Sequence, residues 1–467
     1  MKRLPAWLTA ATLLTSCRGL PARATPTLPA PIAPRSPTAT AFRPAIATQL
    51  AATPTAPTTR VWPEPFTYGL PTPLPTAIPT AVEPFAFAPD VVNILLAGTD
   101  RRNSGGVRTD TLVLLSVQPS AHGAVLISIP RDLYVYLPGL TMQRVNTAYT
   151  LGDIHGYPGG GVALLKDTLL YNLGLRVDYV ALIDMSGFRS LIDRLGGIDV
   201  DVTCPYTDWR LKEPELAPED EDNWELFTVS PGVVHMDGDY ALWYARARAR
   251  SSDFDRARRQ QEVLRALYRQ IFRLGLIPQL PGLYSELTSR VTTDIPLDEL
   301  LDLALLAPWI DLGQVRSRFI GRDQVTGWRV PENGAQVLLP QPQAIRGLLD
   351  QTFSFDSADS ETPQAFATVE VINASSHPDW AELAAARLNY AGFRAHIGRA
   401  QSGSGEPTYL VDYGLADAAE RDRLARAIGL RSGAVRQQPD ASSPFVFTLV
   451  VGDDYSPCFN PTRNQGD

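Results

Sequence analysis

From Arg18 to Ala88 the chain is dominated by Pro, Thr and Ala, as in LPTPLPTAIPT at 70–80. Such a stretch cannot bury enough apolar surface to offset the entropy of ordering it. It is expected to be an extended, partly polyproline II stalk. At about 3.1 Å per residue it can reach on the order of 200 Å. A fold must therefore come from the residues that follow.

The stalk is preceded by a short basic start, Lys2-Arg3, and an apolar run over 4–14. That run is too short to cross a bilayer as a helix. Leu14-Thr15-Ser16-Cys17 then fits the cleavage and acylation site of a bacterial lipoprotein. The expectation is a signal peptide over 1–17, lipidation of Cys17, and a protein held on the outer face of the cytoplasmic membrane. An ordinary signal peptide with an incidental Cys17 is the other reading. Export brings oxidising conditions, in which disulfides persist. Cys204 and Cys458 are the cysteines that remain. They are expected to pair, although the sequence does not show the required Cα approach.

The folded region is expected over 89–355. The runs 91–98 (VVNILLAG), 111–117 (TLVLLSV) and 125–129 (VLISI) read as strands. A helix over 162–173, a strand at 179–184, a helix over 187–195 and a strand at 198–202 follow. Residues 205–230 are polar and acidic and read as a surface loop. Further helices are expected over 260–274, 297–306 and 343–353. This is an α/β fold, a mixed central sheet flanked by helices. A linker over 356–365 leads to a second domain over 366–455, with elements in the order βαββαβ, and a tail over 456–467. The second domain shows no cluster of catalytic residue types, which suits binding or spacing.

If the first three strands form antiparallel hairpins, their ends bring Asp100, Arg102, Arg108, Asp110, Arg131 and Asp132 to one sheet edge. Two carboxylates with several arginines suit a metal-bound polyphosphate. Carboxylates offer hard oxygens to Mg²⁺, and arginines fork onto phosphate oxygens. Exposed salt bridges of little energetic weight are the plain alternative. The segment YARARARSSDFDRARRQQ at 244–261 carries six arginines in a chain of net charge −8. If extended, Arg246, Arg248 and Arg250 point one way. If helical, Arg246 and Arg250 share a face. Arg256 and Gln260, four apart, share a helical face. Arg250, Arg258 and Arg259 read as solvated or paired with Asp253 and Asp255. The acidic balance argues against a nucleic-acid partner. No phosphate-binding G-x-x-x-x-G-K-[ST] loop, zinc-ligand spacing or G-x-S-x-G motif occurs.

NILLAGTDRR, VRTDTLVLLSV, ISIPRDLYVYLPG, RVNTAY, LIDRLGGIDVDV, MDGDYALWYAR and SDFDRARRQQEVL occur in the order found in the LytR-CpsA-Psr family. The chain resembles that family over roughly 89–355. Residues 366–455 are similar to the LytR C-terminal domain. The resemblance implies an extracytoplasmic phosphotransferase that moves a glycan polymer from a polyprenyl-pyrophosphate carrier to peptidoglycan or another envelope acceptor. It also implies Mg²⁺, with Mn²⁺ as an alternative, on Asp100 and Asp110. By motif position, Arg102, Arg108, Arg131, Arg144, Arg246, Arg248, Arg256 and Gln260 would hold the pyrophosphate. Asp100, Arg131, Asp132 and Arg248 would carry catalysis, Asp132 as base. The lipid would lie in an apolar tunnel between sheet and helices. A non-catalytic carrier-binding module and a carrier pyrophosphatase are the competing readings. Arg144 stands where the family often has lysine. Asp255 stands where it often has glycine, placing a carboxylate beside Arg256 that could weaken anion binding. A lipid anchor would replace the family's usual transmembrane helix.

Overall fold

A computed structural model describes residues 60–69, 77–101, 107–248, 251–275, 291–310, 315–353, 367–400, 405–431 and 433–458. Six strands form the central sheet: β1 (Val92–Arg101), β2 (Val107–Gln118), β3 (Gly123–Ser128), β4 (Tyr179–Asp184), β5 (Val291–Thr293) and β6 (Val315–Phe319). Their spatial order is β5-β4-β1-β2-β3-β6. β1, β2 and β3 form the expected antiparallel hairpins, whereas β4 runs parallel to β1 and β6 parallel to β3. The sheet is therefore mixed, and its strands alternate between two apolar faces.

On one face Leu95, Ala97, Leu112, Leu114, Ile127 and Leu182 form the main core. Helices α1 (Gly160–Leu173) and, later in the chain, Pro342–Phe353 pack there. The other face carries Leu96, Val113, Leu115 and Leu126. It is approached by α2 (Met185–Arg194), α3 (Gly238–Arg246) and α4 (Asp253–Arg273). Helix α4 starts seven residues earlier than the apolar pattern suggests. Ser252 and Asp255 form a capping box there, each side chain bonding the other's backbone N–H. That arrangement satisfies two otherwise orphaned donors.

The stalk ends earlier in the chain than composition implies. Trp62 meets Tyr171 with ring centroids 5.0 Å apart, and Tyr68 meets Tyr157 at 5.0 Å. Phe85 and Phe87 pack against Phe353. Val82 and Phe85 donate backbone hydrogen bonds to Tyr171 and Gly174. Aromatic rings interspersed among the prolines supply the burial that Pro, Thr and Ala lack. Residues 205–230 also depart from expectation. Tyr206–Leu211 and Trp224–Val229 form an antiparallel hairpin, because Tyr206, Asp208 and Phe227 alternate inward.

The C-terminal domain carries five strands rather than four, with Val435–Gln437 added at an edge. Its helix α5 (Trp380–Tyr390) packs against β6 and against Ile198–Val202 and Gly232–Met236 of the first domain. The ring of Tyr390 lies under the Arg265 guanidinium at 4.4 Å, and the Asp379 carboxylate accepts from the Val233 N–H. Burial pushes the Tyr390 phenol up to about 12. Cys204 and Cys458 are joined in a disulfide with a Cα separation of 4.5 Å. The segment after 455 is thus part of the fold at least to Cys458. Replacing both cysteines with serine should lower stability by about 2–4 kcal/mol, measured by denaturant unfolding under oxidising conditions. An unchanged midpoint would show that the noncovalent interface alone holds the two domains.

Candidate functional site

β1 and β2 fall out of step by one residue. Gly98 pairs with Thr111 and Thr99 with Thr109, so Asp110 is an extra residue in β2. In an unbroken ladder Asp110 would sit opposite Thr99, on the face away from Asp100, because side chains alternate with a period of two. The bulge re-aims it. Asp100 and Asp110 now line the same cavity, while Thr109 is buried and donates to the Asn146 carbonyl.

That cavity is about 390 Å³ and lies between the sheet and helices α2, α3 and α4. Its floor is Leu96, Gly98, Val113, Ala181 and Ile183, which share one sheet face by cross-strand register. Its walls are Phe188, Leu191, Leu242, Val263, Leu264 and Leu267. At one end the lining changes to Asp100, Asp110, Arg131, Arg246, Arg248, Arg256 and Gln260. A second, polar groove of about 760 Å³ shares Asp110, Arg131 and Arg248 with it. The groove adds Arg108, Asp132, Arg144, Asn146, Asp253, Trp328 and Arg329. The charged residues therefore stand at the junction between an apolar chamber and a polar one.

The junction is held by short ionic links. Arg246 donates to Asp100 at 3.0 Å. Arg131 lies 3.2 Å from Asp110 and 3.3 Å from Asp132, and Arg144 lies 3.2 Å from Asp132. Arg256 is 7 % exposed and pairs with Asp253 at 2.8 Å. Burial lowers its pKa from the usual arginine value, Asp253 opposes that shift, and the like charge of Arg131 adds to it. An arginine stays protonated in either case, so a cation crowded by another cation favours an anion between them. Gln260, one turn on, donates to Thr111 and to the Ala245 carbonyl.

Every sequence-predicted metal-, pyrophosphate- or catalysis-assigned residue within the described chain lines one or both cavities. Arg102, Arg250 and Cys17 lie outside the described residues. Helix α3 ends at Arg246 and the backbone is extended at Ala247, so the Arg246–Arg248 stretch combines both geometries expected of it. Asp255 does not pair with Arg256; its carboxylate is occupied by Ser252 at the helix cap. Arg258 and Arg259 are held by partners other than Asp253 and Asp255. Arg258 bonds Thr203 and Glu262. Arg259 is fully buried, donates to the Tyr244 and Ala247 carbonyls and to Ser251, and stacks 3.6 Å over the Tyr206 ring. Its position was readable: it precedes Val263 by four and Ala266 by seven, on the buried stripe of α4. Thr111, Asn146, Trp328 and Arg329 carried no comparable signal.

Among the described residues no group of three or more His, Cys, Asp or Glu converges as a metal site. Asp100 and Asp110 offer two carboxylates to one cavity, which fits Mg²⁺, an ion that keeps waters and takes substrate phosphate oxygens for its remaining positions.

The LytR_cpsA_psr family matches residues 81–341. The chain belongs to the LytR_cpsA_psr family. A second family, described as LytR cell envelope-related transcriptional attenuator, matches 367–455. Within the LytR_cpsA_psr family, the polyisoprenyl-teichoic acid–peptidoglycan teichoic acid transferase TagU of Oceanobacillus iheyensis is 31 % identical over 216 residues, 46 % of this chain and 62 % of that protein. The regulatory protein MsrR of Staphylococcus aureus is 30 % identical over 210 residues, 44 % of this chain and 57 % of that one. The chain thus spans less than two thirds of these relatives. Among solved structures, TagT bound to LI-WTA is 25 % identical, covering 58 % of this chain and 94 % of that one with a TM-score of 0.42.

Arg259→Met should cost about 2–4 kcal/mol in urea unfolding, since it strips donors from the buried Tyr244 carbonyl and the half-buried Ala247 carbonyl and removes the stack on Tyr206. Asp255→Ala should cost about 1 kcal/mol by opening the capping box. Equal losses in the two variants would contradict this ranking.

Proposed function

We propose that this chain is an extracytoplasmic phosphotransferase, which moves a glycan from a polyprenyl-pyrophosphate carrier to peptidoglycan or another envelope acceptor. The observation that carries the reading is the change of lining from apolar to arginine-rich along one continuous space. An amphiphile with an anionic junction between a hydrocarbon tail and a polar head has the same sequence of surfaces. Family membership supports it, as does the transferase activity for which the TagU relative is named. The teichoic acid named there is one glycan class the carrier could bear.

In this reading the isoprenoid lies along Leu96, Val113, Leu264 and Leu267. Arg131, Arg246, Arg248 and Arg256 hold the pyrophosphate, Gln260 orients it, and Arg108 and Arg144 extend the cationic lining into the groove. Asp100 and Asp110 would hold Mg²⁺ or Mn²⁺, which when bound supplies countercharge to the phosphate oxygens. An acceptor hydroxyl attacks the sugar-side phosphorus. The new O–P bond forms as the bond to the bridging oxygen breaks, and the electron pair leaves with polyprenyl phosphate. Asp132, fixed between Arg131 and Arg144, takes the hydroxyl proton. Phosphoryl transfer draws mainly on positioning and charge stabilisation, so a site without a strong nucleophile suffices. Among the described residues no helix is long and apolar enough to cross a membrane. We propose that lipidated Cys17 anchors the protein to the outer face of the cytoplasmic membrane, with the Pro-rich segment as spacer.

The test is incubation with a polyprenyl-pyrophosphate oligosaccharide, a peptidoglycan oligomer and Mg²⁺, followed by mass analysis. Glycan joined to the acceptor through phosphate is expected. Free glycan phosphate alone indicates a pyrophosphatase, and tight binding without product a binding module. Arg131→Ala and Arg248→Ala should each lower transfer by at least a hundredfold while thermal unfolding stays cooperative. Full activity in either variant contradicts the assignment. Chelation of divalent metal should abolish transfer and leave the disulfide-linked fold intact.

A further inference from the structure

The polar groove has a wall that none of the charged residues explains. The hairpin Val325–Arg329/Gln336–Pro340 brings Trp328 and Arg329 to it. Trp328 is half-buried, and one side of its ring leans on Tyr134 with centroids 5.8 Å apart at 45°. Tyr134 is itself buried, so the indole has a fixed backing. Trp328 also lines the polar groove, beside its cross-strand partner Val337. Arg329 is exposed and lines the same groove.

The hairpin is tied to the charged junction. Leu338 donates its N–H to the Asp132 carbonyl at 3.1 Å, and Leu133 bridges to Leu338. Arg144 donates to the Gln336 carbonyl at 2.8 Å. Trp328 is thus held at a set position relative to Arg131, Asp132 and Arg144.

The geometry points to a sugar subsite: Trp328 packs against the apolar C–H face of the pyranose attached to the carrier's second phosphate, and Arg329 bonds that sugar's polar substituents. This rests on the carrier reading above and adds which part of the substrate the groove selects. A rigid, backed aromatic ring offers contact area at little entropic cost. The ring binds through its face, so it discriminates the presence of a sugar rather than the charge of the pyrophosphate. The step is binding only; no bond is made or broken by Trp328.

The test measures the affinity of the full chain for two ligands, polyprenyl pyrophosphate and the same carrier bearing an N-acetylhexosamine disaccharide. In Trp328→Ala, affinity for the sugar-bearing carrier should fall about tenfold, while that for the bare carrier stays within twofold. Trp328→Phe should retain most of the sugar-dependent gain. Arg329→Ala should lower only the sugar-bearing affinity. Equal weakening of both ligands by Trp328→Ala, or no weakening of either, would overturn the subsite. If the wild-type chain binds neither ligand, the carrier reading fails, and that result is distinguishable from failure of the subsite alone. Thermal unfolding of each variant separates loss of contact from loss of fold.

Discussion

Arg259 lies fully buried where α4 passes the end of α3, donating to the Tyr244 and Ala247 carbonyls and stacking on Tyr206. Carbonyls at a helix C-terminus carry partial negative charge and lack intrahelical partners, so a guanidinium there satisfies both. The contact fixes the turn that presents Arg246 and Arg248 relative to the helix that presents Arg256 and Gln260. The same helix serves three neighbours. Arg256, Gln260, Val263, Leu264 and Leu267 face the cavity. Arg258 and Glu262 bind Thr203, next to the disulfide, while Arg265 meets Tyr390 of the C-terminal domain. The second domain, whose sequence shows no cluster of catalytic residue types, thereby braces the back of the helix that presents Arg256 and Gln260.

The opposing wall depends on one extra residue. The bulge at Asp110 places two carboxylates on one sheet face, at the end of an apolar floor built by ordinary alternation. Carboxylates so close to a hydrophobic chamber need partners, since an unpaired buried charge is costly. Arg131 and Arg246 supply them. Those partners are the groups proposed to receive an anion; in the proposed function, internal ion pairs would be exchanged for contacts to the ligand and its metal.

Much of the sheet was legible in the sequence because strand alternation is a local signal. VVNILLAG, TLVLLSV and VLISI read correctly, and the hairpin logic brought Asp100, Asp110, Arg131 and Asp132 to one edge. The bulge was not legible, since nothing in GTDRR or VRTDT distinguishes a slipped register from a regular one. Arg259 was misread because charge suggested solvent, although its spacing to Val263 and Ala266 indicated the core. The docked part of the Pro-rich segment was missed for the opposite reason: composition averaged away Trp62, Tyr68, Phe85 and Phe87. Trp328 and Arg329 come to the groove through a hairpin distant in sequence, which no local pattern reveals.

The most direct measurement is a crystal structure of the chain with polyprenyl pyrophosphate and Mg²⁺. Expected is electron density for the two phosphates among Arg131, Arg246, Arg248 and Arg256, with the isoprenoid running along Val113, Leu264 and Leu267. Lipid density outside that cavity, or phosphates bound away from these arginines, would contradict the central claim that α4 and the bulged strand form one carrier-binding site.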